Sequence, residues 1–125
     1  MYNLVIFQLT IIVQVFTQQL FEEPPTNQEV GPGEDVILSC VIVNKVGECR
    51  WEKDGTPVGI YNNKYEWAHP EEKAFGDCSL HIKNASFEYD NGVWQCQVTA
   101  SDFTQKDTLI SDGAEVLVRG MTNIT

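Results

Sequence analysis

At 125 residues the chain holds one ordinary domain, large enough for a substantial core and too short for two. A formal net charge of −10 argues against nucleic acid or an anionic membrane face as partner, since both would repel it. The plain reading of the excess acid is a solvated surface.

The first residues carry an apolar run, Leu4-Val5-Ile6-Phe7 and Ile11-Ile12-Val13, and the first charged side chain is Glu22. That run is too short and too early for a spanning helix and has the form of a secretory signal. Val15 and Thr17 suit the small positions before a cut, which predicts residues 1–17 as a signal peptide and 18–125 as the mature domain. The n-region Met1-Tyr2-Asn3 has no Lys or Arg, and the competing reading is an uncleaved, buried first strand. Nothing later is apolar for long enough to cross a bilayer. The expected product is therefore soluble, and its four cysteines suit an oxidising compartment.

Pro24-Pro25 cannot sit in a central strand, so Phe21 to Val30 is expected as an edge strand interrupted there. Gly31 to Asp35 reads as a turn, and Val36 to Val41 as a strand with Val36, Leu38 and Cys40 on one face. Cys49 to Lys53 is a second strand, closed by the turn Lys53-Asp54-Gly55. Between Val58 and Phe75 the pattern weakens: Tyr61, Tyr65 and Trp67 suit short edge strands, and Pro70-Glu71-Glu72-Lys73 reads as loop. Alternation returns at Cys78 to Ile82 and at Val93 to Val98, with a turn at Asp90 to Gly92. Ala114 to Val118 closes the domain. No repeat or low-complexity tract interrupts this order.

Cys40, Trp51, Leu80, Asp90, Gly92 and Cys96 together resemble the signature of an immunoglobulin domain. The resemblance spans about Phe21 to Val118 and implies an all-β Greek-key sandwich of two antiparallel sheets, a scaffold used mostly for recognition. Cys49-Arg50-Trp51, Tyr65-Glu66-Trp67 and Gly76-Asp77-Cys78-Ser79-Leu80 look like the first domain of insect adhesion receptors of the fasciclin III type. The nephrin and irregular-chiasm group shares the Trp51-x-Lys53-Asp54-Gly55 portion. That likeness implies a membrane-distal adhesion module.

Four cysteines allow three pairings. The resemblance implies an inter-sheet bridge between Cys40 on strand B and Cys96 on strand F, packed by Trp51 on strand C. Alternation tests the remaining pair: Cys49 shares the inward face of Trp51, and Cys78 shares that of Leu80. Strands C and E begin at the same end of the sandwich in opposite sheets, so a Cys49–Cys78 bridge is expected as a second clamp. A zinc site is disfavoured because short C-x₂-C pairs are absent.

The likeness has two departures. Trp94 stands where the family usually has tyrosine, whose hydroxyl bonds back to the upstream backbone. The indole offers a donor of different reach, so that corner is expected to be built differently or left weaker. A basic residue to pair with Asp90 at the start of strand D is not evident, Lys73 being the nearby candidate.

No catalytic constellation assembles: the two histidines, His69 and His81, are far from any nucleophile, and His81 reads as an outward, solvated ring. Glu71-Glu72 and Glu34-Asp35 read as solvated acids rather than a calcium cage. No metal or other cofactor is expected. Asn84-Ala85-Ser86 and Asn123-Ile124-Thr125 fit the glycan acceptor pattern, against the plain alternative that Asn84 hydrogen-bonds a local turn.

If Trp51, Trp94, Cys96 and Val98 face inward, Arg50, Glu52, Gln95 and Gln97 face outward on adjacent strands. That predicts a polar, mixed-charge face with few hydrophobic anchors, joined at its edges by Tyr61 and Glu115, against the plain alternative of an ordinary solvated sheet, and Phe103 in the F–G loop reads as an aromatic contact or else a loop-packing residue. The expected function is recognition of an extracellular or cell-surface protein in adhesion, homophilic or heterophilic. The alternative is a soluble immune or ligand-binding factor.

Overall fold

In the computed structural model, residues 18–60 and 63–120 are described. The expected signal peptide, Tyr61 and Asn123 lie outside the described residues.

The all-β sandwich forms as the alternation requires. One layer runs β2 (Gln28–Val30), β11 (Ala114–Val118, strand G), β9 (Gly92–Val98, strand F), β5 (Cys49–Lys53, strand C), β6 (Thr56–Pro57), with β10 (Leu109–Ile110) also paired to β9. The other runs β3 (Val36–Leu38, strand B), β8 (Leu80–Ile82, strand E), β7 (Tyr65–Trp67, strand D), and is extended by the pair β1 (Leu20–Glu23) and β4 (Val41–Val43). Bonds from Cys78 N to Cys40 O and from Ile42 N to Gly76 O carry that layer past the break between β3 and β4. The strand expected over Val36 to Val41 is thus split at Ser39-Cys40, and its inward set continues from Leu38 and Cys40 to Ile42, all buried.

The interrupted edge strand is borne out, and it changes layer at the interruption. β1 pairs with β4, the diproline ends it, and β2 crosses to lie parallel to β11. The expectation of two purely antiparallel sheets is corrected here. A proline lacks the N–H a ladder needs, so the chain cannot continue in its first sheet. On crossing, it meets the last strand running in its own direction.

The connections follow local chemistry. Asp54 at φ 50° and Gly55 at φ 82° form the left-handed two-residue hairpin turn that joins β5 to β6. Pro70–Phe75 is a 3₁₀ turn rather than loop, with proline pre-set for a first helical position. The bend expected at Asp90–Gly92 is preceded by a one-turn helix, α1 (Phe87–Asp90), whose N-cap Ser86 accepts from Tyr89 N at 3.2 Å. Gly92 stands at φ 153°, and a Cβ there would lie 2.5 Å from Asp54 Oδ2. Glycine is what lets the β5–β6 turn press against the start of β9.

The core lies between the layers around Leu38, Cys40, Trp51, Leu80, Trp94 and Cys96, all fully buried. Both expected bridges are present, Cys40–Cys96 and Cys49–Cys78. Trp51 Nε1 donates to Cys78 O at 2.9 Å, so strand C is tied to the start of strand E twice, once by sulfur and once by the indole. Cys40, Cys78 and Cys96 are fully buried, while Cys49 is half-buried at the rim.

Candidate functional site

The strand register of the first layer builds its outer face rung by rung. Arg50 stands opposite Gln97, and Gln97 opposite Ile110 on the other side. Glu52 stands opposite Gln95, and Val93 opposite Glu115. Leu117 lies opposite Glu29 at the far edge. Because successive side chains alternate, the inward partners of this set are Trp51, Trp94, Cys96, Val98, Ala114, Val116 and Val118, all buried.

Polar contacts organise the centre of that face. Arg50 Nη2 donates to Gln97 Oε1 at 2.9 Å and reaches Glu52 Oε2 at 3.4 Å. Its side chain is 59% exposed while that of Glu52 is 15% exposed. The guanidinium is therefore held across two strands through Nη2, and among the described residues its other N–H groups have no hydrogen-bond acceptor. Gln95 Nε2 donates to Ser111 O at 3.0 Å, and Ser111 Oγ accepts from Cys96 N at 3.0 Å. These bonds fasten the break between β10 and β11 to strand F. A groove of about 340 Å³ opens beside this centre, lined by Glu48, Arg50, Gln97, Thr99, Thr108 and Ile110.

The expectation of few hydrophobic anchors needs correction. Ile110 is 59% exposed, and Val93 and Leu117 are each 44% exposed, on the same outer face as Arg50 and Gln97. Alternation through Val116 and Trp94 was enough to turn Leu117 and Val93 outward. Ile110 was missed because β10 is two residues long, too short to show a period.

Phe103 is fully exposed, as expected of a contact residue, and the F–G loop around it is held by its own hydrogen bonds. Asp102 Oδ1 accepts from Thr104 Oγ1 at 2.7 Å and from the backbone N–H groups of Thr104 and Gln105. The Thr104 hydroxyl, then its backbone N–H, keeps the Asp102 carboxyl below its usual 3.8. Asp107 accepts from Ser101 Oγ at 2.6 Å, and this bond, followed by the Ser101 N–H, depresses it likewise.

That loop is anchored by a residue the sequence did not single out. Gln19 is buried, its Oε1 accepting from Val46 N at 2.8 Å and Gly47 N at 2.7 Å. Its Nε2 donates to Thr99 O at 2.9 Å and Asp107 O at 3.0 Å. One carboxamide thus joins the first strand, the B–C loop and the F–G loop. A glutamine ahead of an edge strand carries no sequence signal of that role.

At the opposite end, Trp94 Nε1 donates to Asp90 O at 3.0 Å, so the indole reaches the upstream backbone and the corner closes. The basic partner of Asp90 is Lys64, at 2.6 Å, and not Lys73. Lys64 directly precedes β7, whereas Lys73 lies over the Trp67 ring at 4.6 Å from its centroid. His81 is half-buried rather than simply solvated, its Nε2 2.9 Å from Asp35 Oδ2. Asn84 is exposed just after β8.

A two-layer sandwich clamped by two sulfur bridges, with one outer sheet face carrying a fixed arginine among exposed apolar side chains, is the build of a recognition domain. The chain belongs to the immunoglobulin domain family, whose model matches residues 20–99. It is 27% identical over 122 residues to Kin of IRRE-like protein 1 of Homo sapiens, covering 85% of this chain and 16% of that protein. Among solved structures it is similar to domain D1 of Duf (Kirre), with 29% identity and a TM-score of 0.70, covering 82% of this chain and 97% of that one. It is likewise similar to Rst D1–D2, with 28% identity and a TM-score of 0.71, covering 82% of this chain and 49% of that one. The likeness to the irregular-chiasm group is borne out by these matches. The chain spans about a sixth of the curated relative, as the 16% coverage states.

Proposed function

We propose that the chain is an extracellular recognition module of the adhesion type, binding another protein through the C–F–G face described above and performing no catalysis. The rung Arg50–Gln97–Ile110 carries this reading. It sets a charged fork and a bare aliphatic side chain on one outer face with Gln97 between them, the combination of anchor and polar register that interfaces use. Kinship with Kirre, Rst and Kin of IRRE-like protein 1 supports the same reading. Glu52, Gln95 and Glu115 extend the contact, and Phe103 marks its loop end. The partner is a cell-surface protein or a second copy of the domain. Residues 1–17 serve as the secretory leader, with residues 18–125 as the single domain.

Binding to cultured cells and sedimentation of the purified domain test this with wild type, Arg50→Glu and Ile110→Asp side by side. Each variant is expected to keep its thermal midpoint, since a solvent-facing change costs only about 0.5 kcal/mol. Each should weaken association roughly tenfold or more, the effect of losing about 1.4 kcal/mol. Equal binding by all three proteins would move the site to the F–G loop around Phe103.

A further inference from the structure

On the outer face of the B–E–D layer the charged side chains are paired with each other, Lys83 Nζ lying 2.9 Å from Glu66 Oε1 and His81 Nε2 2.9 Å from Asp35 Oδ2, while Ile37, opposite His81, is 47% exposed. At the end of that layer, two residues past β8, stands Asn84 of the Asn84-Ala85-Ser86 sequence.

Its backbone is fixed from both sides. The N–H donates to Asp35 Oδ1 at 2.9 Å, the carbonyl accepts from Lys64 Nζ at 2.9 Å, and φ is 50°. That left-handed conformation suits asparagine better than most residues. The turn is thus held by the backbone, Asp35 and Lys64. Among the described residues the Asn84 carboxamide makes no hydrogen bond, and beside it Gly33 presents no side chain. The plain alternative, an asparagine whose amide closes the local turn, is not what the geometry shows.

We infer that Asn84 carries an N-linked glycan that covers the B–E–D layer and leaves the C–F–G face open for the partner. The inference rests on the secretory reading of residues 1–17. The donor is an oligosaccharide joined through its anomeric carbon to a lipid diphosphate. The Asn84 Nδ2–C1 bond forms, the C1–O bond to the diphosphate breaks, the lipid diphosphate leaves with the bonding pair, and an amide proton passes to a base of the transferase. Ala85 is buried with both backbone groups bonded, and Ser86 Oγ is engaged as the cap of α1. Transfer therefore precedes closure of the domain, and the folded protein has only to tolerate the sugar, which exposure of Asn84 allows.

The test expresses the whole chain in insect cells and maps secreted peptides before and after enzymatic deglycosylation. Mapping, rather than total mass, separates Asn84 from Asn123. A glycosylated Asn84 peptide is expected from wild type and from Ser86→Thr, which keeps both acceptor and cap. Asn84→Gln should lose that peptide's glycan and its share of the gel shift, while binding cells as wild type does. Secreted wild type with an unmodified Asn84 peptide overturns the inference alone. Retention inside the cell with Met1 intact and Asn84 bare overturns the secretory reading with it. Loss of cell binding in a folded Asn84→Gln protein overturns the division of the two faces.

Discussion

Lys64 Nζ lies 2.6 Å from Asp90 Oδ2, and the aspartate is fully buried. Two more donors complete its shell: Tyr65 OH at 2.7 Å from Oδ1, and Ser86 N at 2.8 Å from Oδ2. Burial, then the bond to Asp90, pushes the Tyr65 hydroxyl well above its ordinary pKa, so the phenol stays a donor. This one carboxylate joins the start of strand D to the corner between strands E and F. The indole of Trp94 bonds the backbone carbonyl of the same residue.

Removing either charge breaks the pair, and the costs are unequal. Asp90→Ala removes the acceptor for Lys64 Nζ, Tyr65 OH and Ser86 N, but the part-exposed lysine keeps the carbonyls of Lys83 and Asn84, which predicts a loss of about 3 kcal/mol. Lys64→Met leaves a fully buried carboxylate with two hydrogen bonds and without its cation, and should lose more, about 3–5 kcal/mol. Chemical denaturation of both variants checks the order. An Asp90→Ala midpoint within error of wild type would show that the network contributes nothing net.

Gln19→Ala removes the acceptor for Val46 N and Gly47 N and the donor to Thr99 O and Asp107 O. Leaving such buried groups unmatched should cost about 3 kcal/mol. Hydrogen exchange should rise first at the B–C and F–G loops that the side chain joins. Increased exchange confined to strands D and E would contradict this account.

Acid should weaken the domain through four carboxylates. Backbone N–H groups of Asn84 and Val93 hold Asp35 and Asp54 below their usual 3.8, assisted by His81 and Lys53. Asp102 and Asp107 are held down within the F–G loop. A carboxyl whose folded value is depressed contributes stability that is present above its unfolded value and is lost as pH falls through the folded one. Urea midpoints should therefore hold near neutrality and decline below about pH 4. Asp54→Asn, which keeps the bond to Val93 N and loses the charge, should shallow that decline. A midpoint indifferent to acid would dispose of the linkage.

Peptide mapping without reduction should recover Cys40–Cys96 and Cys49–Cys78 and no other pair. The bridges span 56 and 29 residues, for which loop closure predicts about 4 kcal/mol each before strain and nesting reduce it. The double replacement C49A/C78A should accordingly fold, with a loss of about 2–4 kcal/mol. Its Trp51–Cys78 carbonyl bond and its first bridge still join the layers. Failure of the double variant to fold under oxidising conditions would make the second clamp essential.

Much of this was written in the order of residues. Alternation about Leu38, Trp51, Leu80, Trp94 and Cys96 set which side chains enter the core, because a strand's period of two admits only two registers. It thereby settled the inward cysteines and the outward Arg50, Glu52, Gln95 and Gln97. Diproline marked where the edge strand breaks, since a missing N–H is a local fact.

Tertiary structure decided what depends on residues far apart in the chain. Whether Lys64 or Lys73 meets Asp90 turns on where a short edge strand docks, and three residues of strand show too little periodicity to fix that docking. The parallel seat of β2 beside β11 joins the two ends of the domain, and no local pattern encodes which layer a chain enters after a break. Ile110 and Gln19 belong to the same class: one gains its place by pairing with Gln97, the other by four hydrogen bonds to groups at least 27 residues away. Alternation is a property of neighbours along the chain, while these contacts exist only once the two layers have closed on each other.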